Sequence, residues 1–355
     1  MPESISDRKR SHLDLCERGE VEHVAKTTLL DEVELVHDAL PELAVDQVDV
    51  STTLLGKRLR VPLVITGMTG GTDEAADINR TLAQAAEEHG IAFGLGSQRA
   101  MHRLPELAYT FAVRSHAPTT LVLANLGQVQ AASTPTAEVA RLVEGIGADA
   151  VCIHLNAAQE LVQPGGDRDF RGGLAAFARL VRELPVPVVA KETGCGISRA
   201  VALRLRDVGV ETFDVSGAGG TSWIKVETLR AEGDDRAVGE EFADWGIPTA
   251  AAVAGLRGLG LSVIGSGGIR SGLDVAKTIA LGAHAAGVAL PVFRAYRKGG
   301  AGAAAGYLRG LVGGLRTAMV LTGCRDLSAL RTTRLVLGRR LREWVRVLTV
   351  EEGHD

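Results

Sequence analysis

The chain lacks the marks of several protein classes. Its 355 residues carry 39 basic and 43 acidic side chains, for a net charge of −4. A nucleic-acid binder ordinarily shows a basic excess, so that class is disfavoured and any anionic ligand must be met by locally placed cations. Only four cysteines occur, Cys16, Cys152, Cys195 and Cys324, and no two form a C-x-x-C pair. This spacing argues against a zinc site or a disulfide framework and for a reducing, cytoplasmic setting. Residues 1–30 are charged and carry no apolar signal core. No uncharged apolar stretch reaches the ~20 residues of a membrane span. With 46% hydrophobic and 23% charged residues, what is left is a soluble folded chain.

What is present is a repeated alternation. Eight short apolar runs bounded by glycine or polar residues read as strands: Val61–Thr66, Ile91–Leu95, Thr119–Ala124, Ala150–Leu155, Val186–Ala190, Thr212–Val215, Ser262–Gly265 and Ala285–Leu290. Amphipathic stretches between them predict helices over Glu74–His89, Pro105–His116, Thr136–Gly147, Leu174–Leu184, Ser198–Val208 and Gly272–Leu281. Asp73 and Ser198 are the expected caps, because a side-chain oxygen there accepts a free first-turn N–H. Near-continuous apolar strands alternating with helices make a parallel sheet buried on both faces. Eight such units predict a (β/α)8 TIM barrel over residues 61–350, with an N-terminal cap segment over 1–60 and extra C-terminal helices. An open dinucleotide-binding sheet would need a Gly-rich turn after its first strand, and Gly67-Met68-Thr69-Gly70-Gly71 does not have that spacing. The Ala/Gly-rich piece 299–306 reads as a loop entering a helix.

In a barrel of this kind the chemistry lies at the carboxyl ends of the strands. Those ends carry Thr66-Gly67-Met68-Thr69, Ser97-Gln98-Arg99, Asn125, "HLNAAQE" (154–160), Lys191-Glu192, Ser216 with Thr221, Gly267-Gly268-Ile269-Arg270 and Ala289-Leu290. "HLNAAQE" offers an imidazole, two amides and one carboxylate, but no Ser or Cys nucleophile and no second acid. "GSGGIRSG" (265–272) is a strand, a glycine turn and a helix start, and the loops after strands seven and eight commonly hold a phosphate on bare N–H groups. Lys191 fits a surface ion pair, a Schiff-base lysine, or a cation beside an electron-rich cofactor ring; the whole pattern favours the last.

Taken in order, "DRKRSH", "ITGMTGG", "GLGSQR", "ANLG", "HLNAAQE", "KETGCG", "DVSGAGGTSW", "WGIPT", "GSGGIRSGLDVAKTIALGA" and "LRTAMVLTG" resemble the type 2 isopentenyl diphosphate isomerases, FMN-dependent (β/α)8 enzymes. The resemblance covers nearly the entire chain. It implies an FMN site of Gly67, Met68, Thr69, Ser97, Asn125, Lys191, Ser216, Thr221, Gly267, Gly268, Ile269, Ala289 and Leu290. It implies a substrate site of Arg8, Lys9, Ser97, Gln98, Arg99, His154, Asn156 and Gln159, with Gln159, His154 and Lys191 as catalytic residues and Glu160 holding Mg2+. The implied reaction is a 1,3 proton shift between isopentenyl and dimethylallyl diphosphate at reduced FMN, with NADPH as the reductant. A homotetramer or larger homo-oligomer is the implied assembly.

The residues depart from that pattern at "RKRSH", where Arg10 and Ser11 stand before the histidine. His12 reads as structural, and Trp223 as a wall of an alkyl pocket or as core. Two alternatives stay open. An α-hydroxy-acid oxidase on the same barrel would need a His base and paired late arginines, of which Arg270 is a candidate. A paralogue acting on a modified prenyl diphosphate would share every motif.

Overall fold

A computed structural model describes residues 5–350, with side chains described from residue 7. Eight parallel strands close into a barrel in chain order: β1 Leu63–Ile65, β2 Ala92–Gly94, β3 Val122–Gly127, β4 Ala150–Leu155, β5 Val188–Glu192, β6 Thr212–Asp214, β7 Ser262–Ser266 and β8 Ala285–Val288. This is the expected (β/α)8 TIM barrel, and each strand falls within two or three residues of its expected run. The longer interval between β6 and β7 holds three helices, Trp223–Thr228, Gly233–Glu241 and Thr249–Leu256.

Side chains alternate across each strand, and that alternation organises the interior. One side supplies Val64, Ala92, Leu123, Ala150, Cys152, Val189, Ile264 and Ala285, a cluster closed at the amino end of the barrel by Leu54 and Leu59. Those two leucines come from a hairpin, Thr52–Leu54 with Lys57–Leu59, whose Lys57 ammonium reaches the carboxylate of Asp149 ahead of β4. The outward positions pack against the surrounding helices in a second, larger core. One turn higher, the inward positions become Asn125, His154, Lys191, Asp214 and Ser266, which are polar and buried. The core therefore ends at a definite level, and chemistry begins above it.

The amino-terminal segment serves both ends. Beyond the hairpin at the bottom, helix Ile5–Arg18 lies against the mouth at the carboxyl ends of the strands. A short antiparallel pairing of Val33–Leu35 with Leu335–Leu337 ties this segment to the C-terminal extension. That extension includes helices Leu327–Thr332 and Arg339–Thr349.

Two local expectations are corrected. Thr72, not Asp73, caps helix Asp73–His89: its side chain accepts from Ala75 N, while the Asp73 carboxylate takes the Tyr109 hydroxyl. Pro105–Phe111 is a 3-10 helix followed by turns, not a helix to His116. Phe111 there is fully buried beneath Gly70, where any β-carbon would strike its ring, so tertiary packing overrides the amphipathic pattern. At residues 299–306 the expected entry into a helix is found: within Leu290–Val320 two helices are separated by non-helical backbone at Gly299 and Gly300, where Gly300 takes a φ of 63°.

Candidate active site

The carboxyl ends of the strands enclose one cavity. It gathers all but one of the residues expected there: Arg8 and Lys9 from the N-terminal helix; Gly67, Met68 and Thr69 after β1; Ser97 and Arg99 after β2; and Asn125 in β3. It continues with His154, Asn156, Gln159 and Glu160 from β4 and the helix Ala157–Val162, Lys191 of β5, and Ser216 and Thr221 after β6. Gly267, Gly268 and Ile269 after β7, and Ala289 and Leu290 after β8, close the ring.

Gln98 is the exception. Its side chain is 1% exposed and turned away from the cavity: Nε2 donates to Leu142 O at 3.0 Å, and Oε1 accepts from Asn125 N at 3.2 Å. The structure does not bring Gln98 to the cavity with the other expected substrate residues; its side chain braces the ends of β2 and β3. An amide inside a protein must satisfy both its ends, and the backbone offers both here.

The rest of the wall explains how the residues are held. Asn125 Nδ2 donates to Leu95 O at 3.0 Å, which turns its Oδ1 toward His154 Nδ1 at 2.7 Å. That arrangement assigns the hydrogen of His154 to Nδ1. Burial, reinforced by Lys191, Lys9 and Arg99, pulls His154 down to about 3, so the ring is neutral. Burial and the Arg8 guanidinium pull Lys9 down to about 8. Four cations thus face a neutral imidazole, an arrangement suited to an anion with several oxygens.

Below the N-terminal helix lies a buried polar network that the sequence did not disclose. Glu227, fully buried, accepts from His12 Nε2 at 2.9 Å, from Gln159 Nε2 at 3.1 Å and from Arg230. Its carboxyl is held below the usual range: burial pushes it up, but the hydrogen bond and charge of His12, with Arg230 and Gln159, outweigh that. Arg230 Nε also donates to the Ser11 hydroxyl at 3.2 Å, so the unusual "RKRSH" segment is anchored through its serine. His12 is structural, stacked edge-on to Trp223 at 5.2 Å between ring centres, and Trp223 lines the cavity. The one available signal for Glu227 was an acidic residue inside the short apolar helix Trp223–Thr228.

Two features mark the opposite wall as a ligand cradle. At Gly267 and Gly268 φ is 100° and 75°, and a β-carbon would come within 2.1 Å of Gly217 O and 2.7 Å of Gly219 O respectively. The loops after β6 and β7 therefore meet backbone to backbone, which leaves peptide N–H groups as the lining. Ser216 beside them is held at a φ of 37°, a strained value for a serine. Elsewhere around the mouth, Thr69 Oγ1 after β1 and Arg99 Nε after β2 are buried without a hydrogen-bond partner. Unpaired buried donors lining the same cavity fit a bound polar ligand.

Glu160 is 5% exposed; Asn156 Nδ2 donates to it at 3.1 Å and Asp167 N at 2.8 Å, and Arg99 stands 3.7 Å away. Among the described residues no group of three or more His, Cys, Asp or Glu is placed to hold a metal. A lone carboxylate fits Mg2+ only where waters and ligand phosphate oxygens complete the shell.

The model of the FMN-dependent dehydrogenase family matches residues 2–154 and 158–337. The isopentenyl-diphosphate delta-isomerase of Methanothermobacter thermautotrophicus is 45% identical over 349 residues, covering 96% of each chain. That of Archaeoglobus fulgidus is 44% identical over 344 residues, 96% of this chain and 99% of the relative. The chain belongs to the isopentenyl-diphosphate delta-isomerase family. Among solved structures, a mandelate oxidase variant with a monooxide FMN adduct superposes with a TM-score of 0.62 at 22% identity, covering 94% of this chain and all of that one, a likeness of fold. The oxidase alternative wanted paired late arginines free for a carboxylate. In this isomerase-family chain Arg270 pairs with Glu22, and Arg294 stands 3.7 Å from the same carboxylate.

Proposed function

We propose that the chain interconverts isopentenyl and dimethylallyl diphosphate by a 1,3 proton shift at reduced FMN, with Mg2+ bound. The observation that carries this reading is the grouping of Arg8, Lys9 and Arg99 with neutral His154 and its register partner Lys191 in one cavity. FMN, when bound, supplies an electron-rich ring that can give and take the proton without net redox change.

The chain's own residues do the rest. Arg8, Lys9 and Arg99 bind the diphosphate through charge-assisted hydrogen bonds. Asn156 orients it; His154, with its hydrogen on Nδ1, offers Nε2 as an acceptor to a protonated phosphate oxygen or a bound water; and Glu160 would hold Mg2+. Gln159, held by Glu227 at its nitrogen and by Asn156 at its oxygen, lines the side assigned to the alkyl end; an amide is a poor proton donor, so its part is positioning. Trp223 and the helix bearing His12 exclude water from that end. Lys191, which lines the cavity, would supply a positive charge that supports the anionic reduced ring. The cradle of Gly267, Gly268 and Ile269, with Ala289 and Leu290, takes the ribityl phosphate. NADPH serves as reductant. Four unpaired cysteines accord with a reducing cytoplasm, and no helix among the described residues is long and apolar enough to cross a membrane. A homotetramer or larger is the proposed assembly.

The test is direct. Purified protein with FMN and Mg2+, reduced anaerobically with NADPH, is given isopentenyl diphosphate in D2O. Deuterium incorporation and dimethylallyl diphosphate are expected; the absence of both overturns the reading. Glu160→Gln is expected to lose most of the Mg2+-stimulated rate, and full retention would remove the metal assignment alone.

A further inference from the structure

Lys191 and Asp214 form an ion pair that the chemistry above leaves half explained. The two residues are register partners on β5 and β6, and Lys191 Nζ lies 3.0 Å from Asp214 Oδ2. Their side chains are 9% and 3% exposed. Lys191 lines the cavity, whereas Asp214 lies behind it. An ammonium has three donors. One meets Asp214, a second meets Glu192 O at 3.0 Å, and the third is left for the cavity. The other carboxylate oxygen of Asp214 accepts the Ser266 hydroxyl from β7, so the acid is held from both sides.

Stability alone is a weak reason for such a pair. Burying two charges costs several kcal/mol per ion before attraction offsets it, and apolar replacements of buried pairs are often neutral or stabilising. This barrel has that apolar solution one turn below, at Cys152, Val189 and Ile264. We propose that Asp214 is a positioning residue: it fixes the Lys191 ammonium at the cavity floor and keeps it charged there. Other titratable groups near Lys191 do not substitute for it. His154, its register partner on β4, is neutral, and burial pushes the Cys152 thiol up to about 12. Glu192, next along β5, has its carboxylate in a loop of four backbone N–H groups from Thr193 to Gly196.

The purpose of the charge rests on the flavin reading, but its existence does not, and the test separates the two. In flavin-free protein the Lys191 side chain is followed by 13Cε and 15Nζ NMR, with the signal assigned through Lys191→Arg. In Asp214→Asn its pKa is expected to fall by about 1–3 units, the effect of removing an adjacent opposite charge. Asp214→Glu, which retains the charge, is expected to recover at least half of that fall. If Asn disrupts folding, Asp214→Ser, which admits water, reads the same quantity.

In the FMN-loaded protein the midpoint potential of the flavin is expected to move negative in Asp214→Asn, because a displaced or neutral lysine supports the anionic reduced ring less well. A potential that moves positive would mean that Asp214 acts only as a background negative charge, and an unmoved pKa and potential would mean a structural brace; either overturns the proposal. Failure of the wild-type apoprotein to bind FMN would overturn the flavin reading and leave the NMR outcome standing.

Discussion

Two successive layers inside one barrel obey opposite rules. The lower layer, Val64, Ala92, Leu123, Cys152, Val189 and Ile264, is apolar and sealed from below by Leu54 and Leu59. The upper layer, Asn125, His154, Lys191, Asp214 and Ser266, is also buried but polar. The two are separated by a single strand repeat: Val189 and Lys191 point to the same side of β5, two residues apart. The lower layer gains by removing apolar surface from water, on the order of 25 cal/mol per Å². The upper layer offsets its desolvation only through paired partners, and each pair also points a group at the cavity. Burial alone therefore does not distinguish a core from a site; the satisfaction of each polar atom does.

The sharpest way to break this contrast is to move a charge down one repeat. Val189→Asp places an unpaired carboxylate in the sealed layer, and no soluble folded protein is expected, as read by soluble yield and far-UV circular dichroism. Normal yield would show that the lower layer is wet. Lys191→Met comes next, losing at least about 100-fold in isomerase activity and about 3–5 kcal/mol of stability, because Asp214 is left charged and alone. Adding Asp214→Asn to it is expected to restore most of the stability and none of the activity, by denaturant melts and deuterium incorporation. If the double variant is as unstable as the single, the pair is not the source of the loss.

Smaller effects refine the boundary. Ile264→Ala leaves a void in the lower layer and should cost about 2–5 kcal/mol while FMN titration of the apoprotein stays as in the wild type. A matching loss of FMN affinity would show that the two layers are not independent. The last effect is one of pH. His154 is held near 3 in the folded protein against an unperturbed 6.5. Between those values the unfolded chain binds a proton that the folded one refuses, so stability falls as pH drops from about 6.5 towards 3. Replacement by Asn, which does not titrate, is expected to flatten denaturant midpoints over that window. An unchanged slope would assign the acid sensitivity to other groups, such as the buried His12.

The sequence alone determined the barrel and the ring of polar strand ends. Eight apolar runs separated by helical periods admit few other closed arrangements, and alternation of facing places the last residues of each strand at one mouth. The tertiary structure decided everything that depends on a partner far along the chain. Gln98 reads like Ser97 and Arg99 beside it, yet Leu142 O and Asn125 N turn it inward. The N-terminal helix delivers Arg8 and Lys9 because partners far along the chain hold it, among them Glu227 on His12, 215 positions away, and Arg230 on Ser11, and no local pattern encodes such distances. Asp214 looks like one more polar residue closing a strand; closure of the barrel makes it the counter-charge of Lys191. Short-range periodicity fixes which way a strand residue can face, but whether a buried polar atom is satisfied is a property of the closed fold.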